Sequence, residues 1–289
     1  MIPALVDTAD IPAETLASGV TVRPVLDVAG AAGGRLARRL VHVPAEGVYA
    51  GTAGPAGELW FVTSGSGSLE AGGLAAAVGP EHGIALPPGT AYRLIADPAP
   101  RRSGVLTVDM VTLPGPGRAG MERGGTEPAG AAGPGLSAGP GARVLRVTDL
   151  RDCAAEVTGD RRFRVLFGPG TGYPAATQFV GDIPPGRAPD HRHGYDEVVL
   201  VLAGEGVVHL VADEPSGEVR LALAGQDAVY LGAATYPLRP GSCLHLPPGQ
   251  RHCLENTGTS VLRVLGVFHP GGSPAAKQPA LSWPPGGPR

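Results

Sequence analysis

The sequence predicts an all-β fold built from two barrels in tandem. Most of the chain reads as short apolar runs broken by glycine and proline, and the same pattern of run, turn and run occurs twice. No amphipathic helix is evident beyond a turn or two near 149–157. Short strands with turn residues at frequent intervals are typical of sandwiches and barrels. The 46 glycines and 31 prolines would suggest disorder in general, but here they are concentrated in turns and in one segment.

The repeat is visible in two pairs of stretches. ELWFVTSGSG, which begins at Glu58, aligns with EVVLVLAGEG, which begins at Glu197. Further along each copy, IALPPGTAYRLIA from Ile84 aligns with LHLPPGQRHCLEN from Leu244. Self-similarity over this length indicates two copies of one structural unit.

The repeat and the composition together divide the chain into four parts. We predict an N-terminal barrel over 1–113, a Gly/Pro/Ala-rich linker over 114–143, a C-terminal barrel over 144–272 and a Pro/Gly-rich tail over 273–289. The second copy also carries an insert near 219–240. An extra hairpin is one interpretation of this insert, and a flap over the barrel mouth or a dimer contact is the other.

Composition excludes several classes of function. A net charge of −3 and an aromatic content of 4% argue against nucleic acid or an anionic membrane as the main partner. The N-terminus lacks the features of a signal peptide, and no apolar run approaches the roughly 18 residues of a spanning helix. Three cysteines without paired spacing suit a reducing compartment, so we expect a cytoplasmic protein.

Two segments of the second copy indicate a metal site. Gly186 to Gly204 reads GRAPDHRHGYDEVVLVLAG, and Gly241 to Asn256 reads GSCLHLPPGQRHCLEN. On a strand, the two histidines of H-x-H and a glutamate four residues later share a face, and a last histidine can arrive from a neighbouring strand. Three imidazoles and a carboxylate form a typical site for a first-row transition metal. The predicted ligands are His191, His193, Glu197 and His252.

These residues resemble the two sequence motifs of the cupin superfamily. The second motif matches without a departure, and the first differs only in a leading spacer of four residues instead of five. The resemblance implies jelly-roll-like β-barrels that hold one metal on three histidines and one glutamate. At the corresponding positions the first copy has Thr52, Gly54, Glu58 and Tyr92. The resemblance therefore implies a bicupin with an intact C-terminal metal site and a degenerate, metal-free N-terminal one.

Residues that contact the substrate are less well defined by the sequence. Tyr195 has the parity of the ligands and is a candidate to line the barrel mouth. Arg164 and Gln178 lie in strand-like runs and could bind a substrate carboxylate or carbonyl, although a solvated outer face is the alternative for each. His245 is expected on the opposite strand face unless parity makes it a partner of a ligand. No catalytic acid or base can be assigned.

The resemblance implies a metal-dependent enzyme that acts on a small organic molecule able to chelate the metal. We expect Fe(II) and an oxygenation reaction of the dioxygenase type, hence an oxidoreductase, with Zn, Mn, Ni, Co or Cu as other possible metals. One alternative is a non-redox isomerase, cyclase or lyase. A non-enzymatic cupin that binds a small ligand is a third. A monomer or a homodimer fits the internal duplication.

Overall fold

The computed structural model describes residues 2–30, 35–98, 104–115, 144–213, 217–223 and 226–275. Within these ranges the regular secondary structure is almost entirely β, with 3₁₀ turns at Leu150–Asp152 and Pro169–Thr171. No helix in the described part has the length and apolar character needed to cross a membrane. The all-β prediction is confirmed. The predicted linker lies outside the described residues apart from 114 and 115, as does the tail beyond 275.

The first half of the chain forms a barrel from two facing sheets. The strands in this half of the chain are β1 (Ala4–Asp7), β2 (Glu14–Thr15), β3 (Thr21–Ala29), β4 (Arg35–Val43), β5 (Val48–Thr52), β6 (Glu58–Ser64), β7 (Gly67–Ala71), β8 (Leu74–Val78), β9 (His82–Leu86), β10 (Ala91–Ala96) and β11 (Leu106–Thr112). All of them except β1 belong to the two sheets of this barrel. One sheet has the order β5-β10-β7-β8. Tight turns connect these strands, as at Gly72 and Gly73, whose positive φ angles of 57° and 79° favour glycine.

The second half repeats this architecture. Its strands are β12 (Arg146–Asp149), β13 (Ala155–Thr158), β14 (Arg161–Phe167), β15 (Thr177–Ile183), β16 (Gly186–Arg187), β17 (Asp196–Ala203), β18 (Gly206–Val211), β19 (Glu218–Leu223), β20 (Gln226–Leu231), β21 (Ala233–Leu238), β22 (Ser242–Leu246), β23 (Arg251–Asn256) and β24 (Leu262–His269). The smaller sheet has the order β16-β23-β18-β21, and the larger one runs from β13 to β20. Two tandem barrels are therefore confirmed.

The barrels exchange strands. The larger sheet of the C-terminal barrel has the order β13-β14-β15-β24-β17-β22-β1-β19-β20, so the N-terminal strand β1 lies between β22 and β19. In return, β12 pairs with β9 at the edge of the N-terminal sheet, which has the order β12-β9-β6-β11-β4-β3-β2. Barrel membership thus departs from the predicted bounds 1–113 and 144–272 at these two strands. Local patterning does not reveal this exchange, because strand pairing is decided by long-range contacts.

The continuous apolar runs of β6 and β17 are explained by burial on both faces. In β6, Trp60 faces the interior of its barrel, whereas Phe61 packs in the layer between the two barrels. In β17, Val199 faces the barrel interior and Val198 the layer between barrels. A strand covered on both sides is apolar throughout instead of alternating. The two large sheets therefore pack face to face.

The insert near 219–240 contains the hairpin β19–β20 and the strand β21. Strands β19 and β20 pair antiparallel, and β21 pairs with β18. The insert thus contains the predicted hairpin, and β1 joins this hairpin to the rest of the sheet.

Candidate metal centre

A cavity of about 460 Å³ opens inside the C-terminal barrel. Its walls come from β14, β15, β17, β22, β23 and β24, and its mouth from the turn at 158–160, the loop at 188–190 and residues 274–275. Most of the lining is apolar or aromatic. The polar lining includes His191, His193, Tyr195, Glu197 and His252. The cavity therefore contains all four residues that the sequence motifs single out.

The two segments meet through the backbone. His191 and His252 form an antiparallel bridge, with each backbone N–H donating to the other residue's carbonyl at 2.9 and 2.8 Å. His252 lies on β23 as expected, but His191 and His193 precede β17 in a segment that is not a regular strand. The expectation of an extended H-x-H strand is therefore wrong in detail. Convergence depends on the bridge, which fixes His191 opposite His252.

The three imidazoles converge closely. One ligand nitrogen from each of His191, His193 and His252 lies within 4.8 Å of the other two, the spacing that a shared ion requires. The His252 ring centroid is 4.5 Å from that of His191 and 4.6 Å from that of His193. Glu197 lies beside them, with Oε2 3.1 Å from Nε2 of His193. In the described part of the chain, no other cluster of His, Cys, Asp or Glu meets this geometry.

Burial favours the neutral form of His191 and His252. The pKa of His252 is lowered well below the ordinary 6.5 by burial and by the neighbouring imidazoles. Burial lowers the pKa of His191 as well, followed by the effect of His193. Nδ1 of His252 lies 2.9 Å from the Gln250 carbonyl, so it carries the proton and leaves the Nε2 lone pair free. Neutral imidazoles with free lone pairs are what a cation requires.

Tyr195 stacks between two rings. Its ring lies 4.4 Å from that of His193 at 9° and 4.2 Å from that of Phe268 at 17°. Burial, followed by the charge of Glu197, raises the pKa of its hydroxyl above the ordinary 10.0, so the proton stays bound at neutral pH. Tyr195 lines the cavity as its parity predicts, and its ring fixes the plane of the His193 imidazole.

Arg164 and Gln178 do not line this cavity. On β15 the cavity-facing side chains include Phe179 and Ile183, whereas Gln178 is fully buried in the layer between barrels, next to Gly83 of β9. Arg164 pairs with Val180, which faces the same layer. The expectation that these two side chains bind substrate is therefore wrong, because strand parity turns both away from the cavity.

Arg161 lines the cavity instead. Its Nη2 donates a 2.6 Å hydrogen bond to the carbonyl of Leu254, and its charge lowers the pKa of both His191 and His252. The run RRFRVLFG contains three arginines, and the sequence does not tell which one faces inward. The register of β14 against β15 makes that choice.

A buried pair lies behind the metal-site strands. Nε2 of His245 is 3.0 Å from Oδ1 of Asp196, and both side chains are almost fully buried on the face towards the N-terminal barrel. Parity thus places His245 away from the cavity, although Asp196 directly precedes Glu197. No motif in the sequence indicates Asp196 as the partner of His245.

The corresponding centre of the N-terminal barrel is filled by protein groups. The buried carboxylate of Glu58 accepts hydrogen bonds from Arg39 at 2.8 Å, from the Trp60 indole at 2.7 Å and from Thr112 and the Gly54 amide at 3.2 Å. A guanidinium therefore provides the positive charge beside this carboxylate.

The aromatic ring of Tyr92 fills the adjoining space. It pairs across strands with Gly51, where a Cβ would lie 2.6 Å from the phenol oxygen. In the repeat alignment, Thr52 and Tyr92 correspond to the bridged residues His191 and His252. In the structure, the residue opposite Tyr92 is Gly51, one position before Thr52. A glycine at position 51 leaves the room that the phenol occupies.

Comparisons with known proteins identify the fold. A sequence model of the Cupin domain family matches residues 213–268. No curated protein matches the chain. A solved structure of oxalate decarboxylase is similar with a TM-score of 0.66 at 13% identity, over 93% of this chain and 77% of that one. The Bacillus subtilis enzyme studied for its Mn(II) centres gives 0.66 at 14% identity, over 93% and 78%. The same enzyme at pH 4.6 gives 0.65 at 14%, over 92% and 76%.

The chain thus has the two-barrel fold of these bicupin structures, and its residues 213–268 match the Cupin domain family. Identities this low establish the shared two-barrel fold and not a shared reaction.

Proposed function

We propose that this bicupin is a metal-dependent enzyme whose active site lies in the C-terminal barrel and whose reaction is of the lyase type. The observation that carries the proposal is the convergence of His191, His193 and His252 within 4.8 Å in the cavity, with Glu197 beside them. The substrate is a small organic anion that can chelate the metal.

The donor set fits a divalent transition metal. Three neutral imidazoles and one carboxylate leave net positive charge on such an ion and allow open positions for substrate. The buried Nδ1 of His193 has no hydrogen-bond partner among the described residues, and Nε2 faces Glu197. We propose His191, His193, Glu197 and His252 as ligands. When bound, the ion would act as a Lewis acid that polarises a carboxylate or carbonyl oxygen.

The protein's own groups orient the substrate and exclude water. The apolar walls, which include Leu246, Leu254 and Val264, remove the reacting centre from solvent and strengthen electrostatic contacts there. The guanidinium of Arg161 attracts a substrate oxyanion towards the imidazoles. Tyr195 keeps its phenolic proton and can donate it as a hydrogen bond within the cavity.

The structural relatives favour the lyase over the oxygenase. The similar structures are oxalate decarboxylases, and one of them was studied for its Mn(II) centres. Manganese is therefore our preferred metal. The expectation of Fe(II) and oxygenation has no support from these relatives, and oxygen uptake is the measurement that would restore it.

We also propose that the N-terminal barrel binds no metal and has a structural role. The Glu58 carboxylate already has Arg39, Trp60 and Thr112 as donors, so an ion would have to displace a buried guanidinium. Its large sheet covers the large sheet of the C-terminal barrel and takes β12 as an edge strand.

Metal content and gas exchange test the proposal together. We expect about one equivalent of metal per chain in the purified protein, which the His252→Ala variant loses because one of three imidazoles is removed. His209→Ala is the matched control, since His209 lies on the adjacent strand β18 but binds Glu255 and Thr235 outside the cavity.

Turnover of carboxylate substrates should release CO₂ without net consumption of O₂. Stoichiometric uptake of O₂ would refute the lyase reaction and favour an oxygenase reaction instead. Absence of metal in every preparation would refute both.

A further inference from the structure

The size of the C-terminal cavity bears on the substrate. Its volume of about 460 Å³ falls in the range of roughly 300–1,000 Å³ that pockets for drug-sized ligands occupy. Oxalate consists of two carboxylates joined directly and would leave most of this space to water. The cavity therefore has room for a substrate body beyond the chelating group.

The walls of that additional space are apolar. Phe163, Phe179 and Ile183 form one side, and Leu246, Leu254 and Val264 add to the other walls. Phe179 pairs with Gly266 on β24, where a Cβ would lie 2.3 Å from its ring. The glycine thus lets this ring pack close against the sheet and keeps the cavity wide. A flat apolar body would find contacts here that a dicarboxylate does not use.

Charged side chains of both signs line the cavity, among them Asp160, Arg161, Arg162, Asp182 and Asp190. Asp190 pairs with Arg187 at 3.0 Å, and Asp182 lies 3.7 Å from Arg263. Arg161, in contrast, bonds to the Leu254 carbonyl, and no carboxylate of the described residues lies within 4.0 Å of its guanidinium. Arg162 beside it is exposed. Arg161 is therefore a partly buried cation of the cavity wall that is available to a ligand anion.

We infer that the C-terminal barrel binds a substrate with a flat apolar body of aromatic size and one anionic chelating head, and that Arg161 determines specificity for that head. The head lies between Arg161 and the imidazoles, and the body lies against Phe163 and Phe179. The part of this inference in which the head chelates a metal rests on the proposed function. The binding of the anion by Arg161 does not depend on it.

Direct binding of three probes tests the inference. Oxalate, salicylate and 1-hydroxy-2-naphthoate share a chelating carboxylate and differ in apolar area. We expect affinity for the protein as purified to rise along this series, measured by calorimetry and by naphthoate fluorescence. The last probe should bind at least about tenfold more tightly than oxalate, since it buries an additional aromatic surface. Equal or tighter binding of oxalate would overturn the apolar-body part.

Arg161→Gln and Arg164→Gln form a matched pair on β14. The first should weaken naphthoate binding by about tenfold or more, because a charge-assisted hydrogen bond to the carboxylate is lost. The second should leave it unchanged, since Arg164 faces away from the cavity. Equal effects of the two variants, or none from Arg161→Gln, would overturn the role of Arg161.

Repeating the titration after metal removal separates the two proposals. If the metal-free protein still binds naphthoate and the Arg161→Gln variant does not, the inference is supported. This holds for either result of the metal analysis that tests the proposed function. A metal-loaded protein that prefers oxalate overturns the inference and leaves the proposed function in place.

Discussion

The buried ion pair between Arg38 and Asp109 provides a sharp test of how the two barrels are held together. Arg38 Nε and Nη2 donate to the two carboxylate oxygens of Asp109 at 2.7 and 2.9 Å, and both side chains are 1% exposed. The third guanidinium nitrogen, Nη1, lies 3.9 Å from Sγ of Cys243 in the other barrel. The perturbation is Asp109→Asn, which keeps the shape and removes the charge.

The expected cost follows from the uncompensated guanidinium. Burial by itself would lower the pKa of Arg38, but the Asp109 carboxylate raises it above its ordinary value, so the pair is charged. Removing one partner of such a pair costs about 3–5 kcal/mol, because the other charge stays buried without compensation. The free energy of unfolding of a native protein is about 5–15 kcal/mol, so this substitution would remove a large part of it.

Equilibrium urea denaturation, followed by the fluorescence of buried Trp60, measures this loss. Asp27→Asn is the matched control, because its pair with Arg35 lies in the same sheet with more than half of each side chain exposed, and about 0–1 kcal/mol is expected there. Replacing Arg38 by Met and Asp109 by Leu together should restore most of the stability. A loss below about 1 kcal/mol in Asp109→Asn would refute the reasoning, since it would mean that water reaches the pair.

Three further predictions concern other parts of the molecule. Deleting residues 2–8 removes β1, so we expect a lower melting temperature and faster hydrogen exchange in β19 and β22. Unchanged hydrogen exchange in these two strands would contradict the position of β1 between them. Burial, followed by Arg23, lowers the pKa of His42, so the folded state binds this proton more weakly than the unfolded chain. Stability should therefore fall as pH drops below about 6.5, and less so in His42→Gln, as pH-dependent urea titrations can check. Tyr195→Phe should keep metal content and stability, whereas Tyr195→Ala should lose about 0.5–1.5 kcal/mol of stability per lost ring contact; equal thermal melting of the two variants would contradict the stacking role.

The sequence was informative where the spacing of residues within one segment carries the signal. The two motifs identified the residues that converge in the cavity, because each motif carries its histidines at a fixed spacing. A single backbone bridge between His191 and His252 then brings the two motifs together. The aligned runs that begin at Glu58 and Glu197 indicated two copies of one strand-rich unit, and in the structure both runs form strands that are buried on two faces. Substrate residues were harder to predict, because a one-residue change of register moves a side chain to the other face.

What the sequence by itself determined is the all-β class, the duplication and the four candidate ligands, since each depends on local patterning or on fixed spacings. Only the tertiary structure decided that β1 and β12 change barrels and that Arg161, instead of Arg164, faces the imidazoles. It also decided that Arg39 occupies the place beside Glu58. The physical reason is common to these cases. Strand pairing and register depend on the total burial and hydrogen bonding of segments far apart in the chain, and no local pattern encodes them.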